Sequence, residues 1–289
     1  MKKNVILSVI ATAAIAIIVL SVIIVNTYGK TENNKLDPAD SSVKKAPDEP
    51  DNIYERNIDV KDPLRIGVIN VSIPPMIMWD SNDPGGFEID FIAETARRLG
   101  VSYEIVPIDP ALAREKLENG EIDAVWGVPD TDKQKQNYIM TDPYIKMPQV
   151  TVIYGGSEIK DKNGIKNISV IMSTPAETLA DEDKINIDYK RVSASKDYIK
   201  TFEQLREGYS DAVICDRATA LYMQDSDDKL MIIDENAAEI RYSVAFLHTE
   251  EKMRNAVNGV IKDILNDGTL PELSIKWLRE NYYNEGKLP

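Results

Sequence analysis

The sequence predicts an α/β protein of two lobes facing one cleft, preceded by an N-terminal transmembrane helix. Three observations carry this expectation. From Leu64 onward, apolar runs of strand length alternate with amphipathic segments of helical period, the pattern of a mainly parallel sheet covered on both faces. The stretch Gly208-Tyr209-Ser210-Asp211-Ala212-Val213-Ile214-Cys215-Asp216 has a near copy at Gly120-Glu121-Ile122-Asp123-Ala124-Val125-Trp126-Gly127, so the chain builds one unit twice. Val5 to Val25 contains no charged residue.

That first apolar run sets the cellular context. About 21 residues at 1.5 Å rise span roughly 31 Å, the thickness of a bilayer's hydrocarbon core. Residues 1–29 are expected to be an uncleaved anchor, with a signal peptide as the competing reading. A signal's apolar region is usually about 7 to 15 residues and closes on small residues, whereas this run continues through Leu20-Ser21-Val22-Ile23-Ile24-Val25 to an interfacial Tyr28. Lys2 and Lys3 keep the N-terminus cytoplasmic and place the remainder outside. Residues 30–61 are rich in Lys, Asp, Glu, Asn, Ser and Pro and read as a flexible linker.

The 289 residues carry a net charge of −14, and because the first thirty hold three lysines and no acid, the rest carries −17. Such an acidic surface argues against nucleic acid as a partner. Cys215 is the one cysteine and His248 the one histidine. Neither an internal disulfide nor a zinc site can be assembled, and no cofactor is expected. Cys215 lies inside an apolar run and reads as a core residue, and His248 as a surface residue. No serine-histidine-acid set or phosphate loop is present.

The soluble part follows in order. Leu64 to Ile69 alternates into a strand, and Pro74-Pro75 forces an extended turn. Phe87, Phe91, Ile92, Thr95, Ala96 and Leu99 share one helical face before Gly100 ends the helix. Tyr103 to Pro107 is a strand, Pro110 to Glu118 a helix and Ile122 to Trp126 a strand. Gln149 to Tyr154 is extended and crosses into a second lobe. That lobe holds strands near Ile168 to Met172, Ile187 to Val192, Ala212 to Cys215 and Leu230 to Ile233, with helices starting near Pro175, Ser195 and Arg217. Arg241 to Leu247 alternates as a strand that crosses back. Two helices, Glu250 to Leu265 and Leu270 to Tyr282, close the chain around the turn Asn266-Asp267-Gly268-Thr269. The expected lobes are 62–152 for the first part of lobe 1, 153–243 for lobe 2 and 244–289 for the return to lobe 1.

Between Leu64 and about Leu278 the chain resembles the family 3 extracellular solute-binding proteins of bacterial amino-acid ABC transporters. The resemblance is carried, in order, by Leu64-Arg65-Ile66-Gly67-Val68, Pro74-Pro75, Gly86-Phe87-Glu88-Ile89-Asp90, Arg98-Leu99-Gly100-Val101, Gly120-Glu121-Ile122-Asp123, Thr141-Asp142-Pro143-Tyr144, Asp211-Ala212-Val213-Ile214-Cys215-Asp216, Asp267-Gly268-Thr269-Leu270 and Lys276-Trp277. It implies a two-lobed type II periplasmic-binding-protein fold with two crossover strands, closing on a small solute.

The resemblance also implies a site. Asp216 matches the carboxylate that pairs with a ligand ammonium, while its place before Arg217 also suits an N-cap. Thr174 matches a threonine that holds a ligand carboxylate, and Thr174-Pro175-Ala176-Glu177 reads as a capping box at a helix N-terminus. Thr131 matches a ligand-binding hydroxyl. Two positions depart from the pattern: Pro129 stands where a hydroxyl is usual, and Gln134 where an arginine grips the ligand carboxylate. Thr131 to Gln134 also reads as a capping box, and Lys133 next door offers a point charge. Trp126, Gly127 and Met76 complete the candidate ligand-binding set, while Met78 and Trp79 read as packing and loop residues and Tyr144 as structural.

The function expected is capture of a small solute, an amino acid or related compound, for an ABC-type importer, by a monomeric soluble domain tethered to the outer face of the membrane. A ligand sensor acting through a membrane signalling partner is the alternative. A dehydratase-like enzyme with Glu177 or Asp130 as its acid is a third, less favoured reading.

Overall fold

The computed structural model describes residues 42–44, 61–80 and 83–283, without side chains for 42–44 and 234–237. The anchor expected at 1–29 lies outside the described residues, and no helix among them is long and apolar enough to cross a membrane.

Strand β1 is Ser42–Lys44, followed by β2 (Leu64–Ile69), the short hairpin β3 (Met78–Asp80) and β4 (Asp83–Gly85), and helix α1 (Phe87–Leu99). Next come β5 (Tyr103–Ile108), a 3-10 turn over Pro110–Leu112, α2 (Ala113–Glu118), β6 (Ala124–Pro129), α3 (Asp132–Asn137), β7 (Ile139–Met140) and β8 (Ile145–Tyr154). The second lobe contributes β9 (Asn167–Ile171), α4 (Pro175–Asp181), β10 (Arg191–Ser195), α5 (Tyr198–Arg206), β11 (Ala212–Asp216) and α6 (Arg217–Gln224). The chain returns through β12 (Leu230–Phe246) and ends in α7 (Glu251–Asn266) and α8 (Thr269–Leu278).

Each lobe is built on a parallel triplet. In lobe 1, β2 lies between β5 and β6 and runs parallel to both. In lobe 2, β9 lies between β10 and β11, again parallel to both. The long strands β8 and β12 pair antiparallel from Leu230↔Tyr154 to Tyr242↔Ile145 and carry the sheet from one lobe to the other. The described strands of the two lobes therefore form one ten-stranded sheet, with β3 and β4 apart.

Several elements differ from expectation. The return is a single 17-residue strand rather than two, because pairing with β8 persists through register shifts near Ile232, Asp234 and Ala238 where the apolar alternation is interrupted. Lobe 2's edge strand starts at Arg191, beyond the expected Ile187, because Ile187 and Tyr189 turn inward as partly buried packing residues beneath the lobe. Asp197 rather than Ser195 starts α5, its carboxylate accepting from Ile199 N and Lys200 N. Ser42–Lys44, inside the expected linker, pairs antiparallel with Tyr103–Ile105; backbone pairing at a sheet edge requires no apolar side chains.

The repeated unit of the sequence has one physical job in both lobes. Asp123 Oδ2 accepts from Arg65 N at 2.9 Å at the start of β2, and Asp123 N donates to Arg65 O at 2.7 Å. Asp211 Oδ2 accepts from Lys166 N and Asn167 N at 2.8 Å at the start of β9, and Asp211 N donates to Asn167 O at 2.8 Å. Each carboxylate thus pins the beginning of its lobe's central strand. Arg65 and Lys61 also reach Asp123 and hold its pKa below the usual carboxylate range against the effect of burial.

Candidate functional site

The carboxyl ends of the parallel strands point toward the cleft between the lobes, where open α/β sheets place their ligands. A cavity of about 320 Å³ lies there. Its apolar wall comes mainly from lobe 1, including Ile73, Met76, Ile77, Ile108 and Val128. Lobe 2 supplies Ser173, Thr174 and Asp216.

Asp216, 5% exposed, ends β11 opposite Gln149 of β8. Its carboxylate accepts from Gln149 Nε2 and from the Tyr242 hydroxyl, the latter at 3.3 and 3.4 Å. It makes no capping bond to α6. Burial pushes its pKa up to about 6, against the effect of those two donors.

Glu88, 2% exposed, enters the same cavity from the first turn of α1. The Tyr144 hydroxyl lies 2.9 Å from both carboxylate oxygens and donates to them. Burial pushes the Glu88 pKa up to about 8; the Tyr144 hydroxyl opposes this and the Asp216 charge reinforces it. The Trp126 indole N–H, buried and outside hydrogen-bonding geometry, still favours the Glu88 anion electrostatically. At neutral pH the closed cleft therefore contains a largely ionised Asp216 and a largely protonated Glu88. A cation entering between them finds one charge already present and a second available by loss of a proton.

Trp126 stands edge-on to Phe91 at 5.6 Å and 6.3 Å from the Tyr144 ring, an aromatic floor for lobe 1's side of the cavity. Gly127 lines the cavity with φ +71, a conformation that side-chain-bearing residues disfavour, and so lets β6 turn past Glu88.

Of the candidate residues, Asp216, Thr174, Trp126, Gln134, Met76 and Gly127 are brought to one cavity wall. Thr131 is not among its lining residues: it caps α3, its Oγ1 accepting from Gln134 N at 3.3 Å. Thr174 does not form the expected capping box. Its hydroxyl donates to Ile171 O at 2.7 Å, while Glu177 accepts from Ser173 N at 2.7 Å. Lys133 is exposed and outside the wall. Trp79 is half-buried behind the cleft, its Nε1 donating to Ile69 O at 2.8 Å. His248 is exposed, and Cys215 is buried with its thiol pKa pushed up by that burial. Asp130, considered above as an acid, is held by Lys135 at 2.5 Å and Arg241 at 3.5 Å.

Three site residues were missed from sequence: Glu88, Gln149 and Tyr242. For Glu88 a signal existed, since it falls three, four and seven residues before Phe91, Ile92 and Thr95 on the buried face of α1. Tyr242 alternates inward with Val244 and Phe246, and Gln149 lies in an apolar strand.

The lobes also meet at the cleft mouth. Val71 and Ile73 of lobe 1 pack with Ile171 of lobe 2, beside the partly buried Tyr198. Lys196 lies 3.8 Å from Asp109 across the same gap.

Two α/β lobes on a pair of crossing strands, enclosing a small cavity with buried carboxyls, define a type II solute-binding protein. Residues 64–280 match the bacterial extracellular solute-binding proteins, family 3, and the chain belongs to that family. It is 29% identical over 222 residues to the L-cystine-binding protein TcyJ of Escherichia coli (strain K12), covering 74% of this chain and 82% of that protein. Among solved structures it is similar to Tv2483 bound to L-arginine, with 26% identity, TM-score 0.66, and coverage of 76% of this chain and 92% of the other. A mutant of ArgBP from T. maritima gives 26% identity and TM-score 0.64, covering 75% and 95%. Its family and these relatives are solute-binding proteins, not enzymes.

Proposed function

We propose that this protein is tethered to the outer face of the cell membrane by residues 1–29, captures a small solute bearing a cationic amino group in its interlobe cleft, and delivers it to an ABC-type importer. The observation that carries the reading is Asp216: a carboxylate at a strand's carboxyl end, buried in the cavity wall and not spent on capping the helix that follows it. A buried carboxylate with two neutral donors lacks a compensating charge, and a ligand ammonium supplies one. L-Cystine and L-arginine, named for two of the relatives, both carry ammonium groups. The uncharged run Val5 to Val25 supports the tether.

Calorimetric titration of the full chain in detergent with amino acids, amines, small acids and short peptides tests this. One class should bind saturably with one site per chain, and small-angle scattering should show contraction on binding. Silence across the whole panel at millimolar concentration would sink the proposal.

A further inference from the structure

We infer that the solute is an organic amine without a carboxylate, its ammonium seated between Asp216 and Glu88 and its body lying on the apolar wall of lobe 1. This rests on the binding-protein reading above and narrows its substrate class.

The first support is charge. Three acids, Asp216, Glu88 and Asp109, line the cavity, and no lysine, arginine or histidine is among the described residues that do. A ligand carboxylate would be desolvated beside the ionised Asp216 with no cationic side chain among those lining residues, an arrangement proteins avoid because the desolvation cost is not recovered. A ligand ammonium meets the opposite situation.

The second support is that the wall offers a carboxylate little. On lobe 1, Gln134 lines it without a charge, and Pro129 has no N–H to donate. On lobe 2, the Ser173 N–H is taken at 2.7 Å by the protein's own Glu177 carboxylate, and the Thr174 hydroxyl donates at 2.7 Å to the Ile171 carbonyl.

The third support is hydrogen-bonding capacity. An ammonium brings three N–H donors and no acceptor. The Asp216 and Glu88 carboxyls both line the cavity, and the side chains that donate to them, Gln149, Tyr242 and Tyr144, are neutral. Ile73, Met76, Ile77, Ile108 and Val128 suit a hydrocarbon body. The cavity of about 320 Å³ has room for a small organic amine.

The test uses pairs that differ only by the carboxylate: 3-methylbutylamine with leucine, 2-phenylethylamine with phenylalanine, and cadaverine with lysine, titrated by calorimetry into the full chain at pH 7. In at least one pair the amine should bind about a hundredfold more tightly than the amino acid, the upper scale of the cost of leaving one buried polar group unpaired. An amino acid that binds as tightly as its amine overturns the inference and leaves the binding-protein reading standing. No binding by any member of either series overturns the inference, while the binding-protein reading falls only if the wider panel of amino acids, amines, small acids and peptides is silent as well. Gln134→Arg, at a half-exposed position, provides the second arm. By restoring a carboxylate partner it should reduce the amine-to-amino-acid affinity ratio at least about tenfold, and an unchanged ratio overturns the inference.

Discussion

Glu88 is a carboxyl on the apolar stripe of a helix, and its consequences are measurable one residue at a time. Its folded pKa of about 8 lies above the ordinary 4.5, so between those values the native state binds a proton that the unfolded state has released. Stability from this group is therefore fully present below about pH 4.5 and is lost as pH rises toward 8, at up to about 1.4 kcal/mol per pH unit. Glu88→Gln keeps the shape and removes the titration. Urea unfolding of the ligand-free protein should show the variant gaining on the wild type steadily from pH 5 to pH 8; parallel pH profiles would refute the assignment. Asp216 works at a lower range, its pKa of about 6 also raised by burial. Binding of a cationic solute should strengthen as pH rises through 6. Asp216→Asn should weaken it by about a hundredfold, the cost of losing a charged hydrogen-bonding partner, while melting stays cooperative. Retained affinity in calorimetry would remove Asp216 from the site. Asp216 was legible in the sequence as a carboxylate at a strand tip, whereas whether it capped α6 or faced the cleft depended on the geometry of Gln149 and Tyr242.

At the scale of elements, the repeat Gly120–Gly127 and Gly208–Asp216 marks a construction rule: an aspartate one position before a buried strand clamps the start of its parallel neighbour. Asp211→Ala strips an acceptor from Lys166 N and Asn167 N and should destabilise the protein by about 1–3 kcal/mol in urea unfolding. An unchanged midpoint would show those amides are satisfied otherwise. The central strands and α1 were legible because period and punctuation are local properties; α1 ends at Gly100 in the left-handed conformation, as its sequence predicts. β12 was not legible as one strand. The chain from Asp234 to Glu239 lacks strand alternation, and its pairing with β8 resumes at Ala238 after a register shift.

For the whole molecule the relevant event is closure. Val71, Ile73 and Ile171 form a small apolar seam across the cleft mouth, while Ala218 at the start of α6 packs into the lobe 1 core and Arg217 pairs with Glu280 at 2.9 Å. Opening the cleft would expose the seam. Val71→Ser with Ile171→Ser removes several buried methyl and methylene groups at about 0.8 kcal/mol each, so the closed population and the apparent affinity should fall by about tenfold or more. Small-angle scattering should show a larger ligand-free radius of gyration, and unchanged affinity and dimensions would show that the seam does not govern closure. The sequence by itself determined the alternation of the central strands and helices and the two-lobed plan, because these rest on local periodicity and residue chemistry, and its resemblance to a family marked Pro129 and Gln134 as departures. Only the tertiary structure decided that Glu88 of one lobe and Asp216 of the other share a cavity, that Glu177 occupies the Ser173 amide and that Thr131 stays outside the wall. Burial and charge act through space, and what faces a residue across a cleft is not written in its neighbours along the chain.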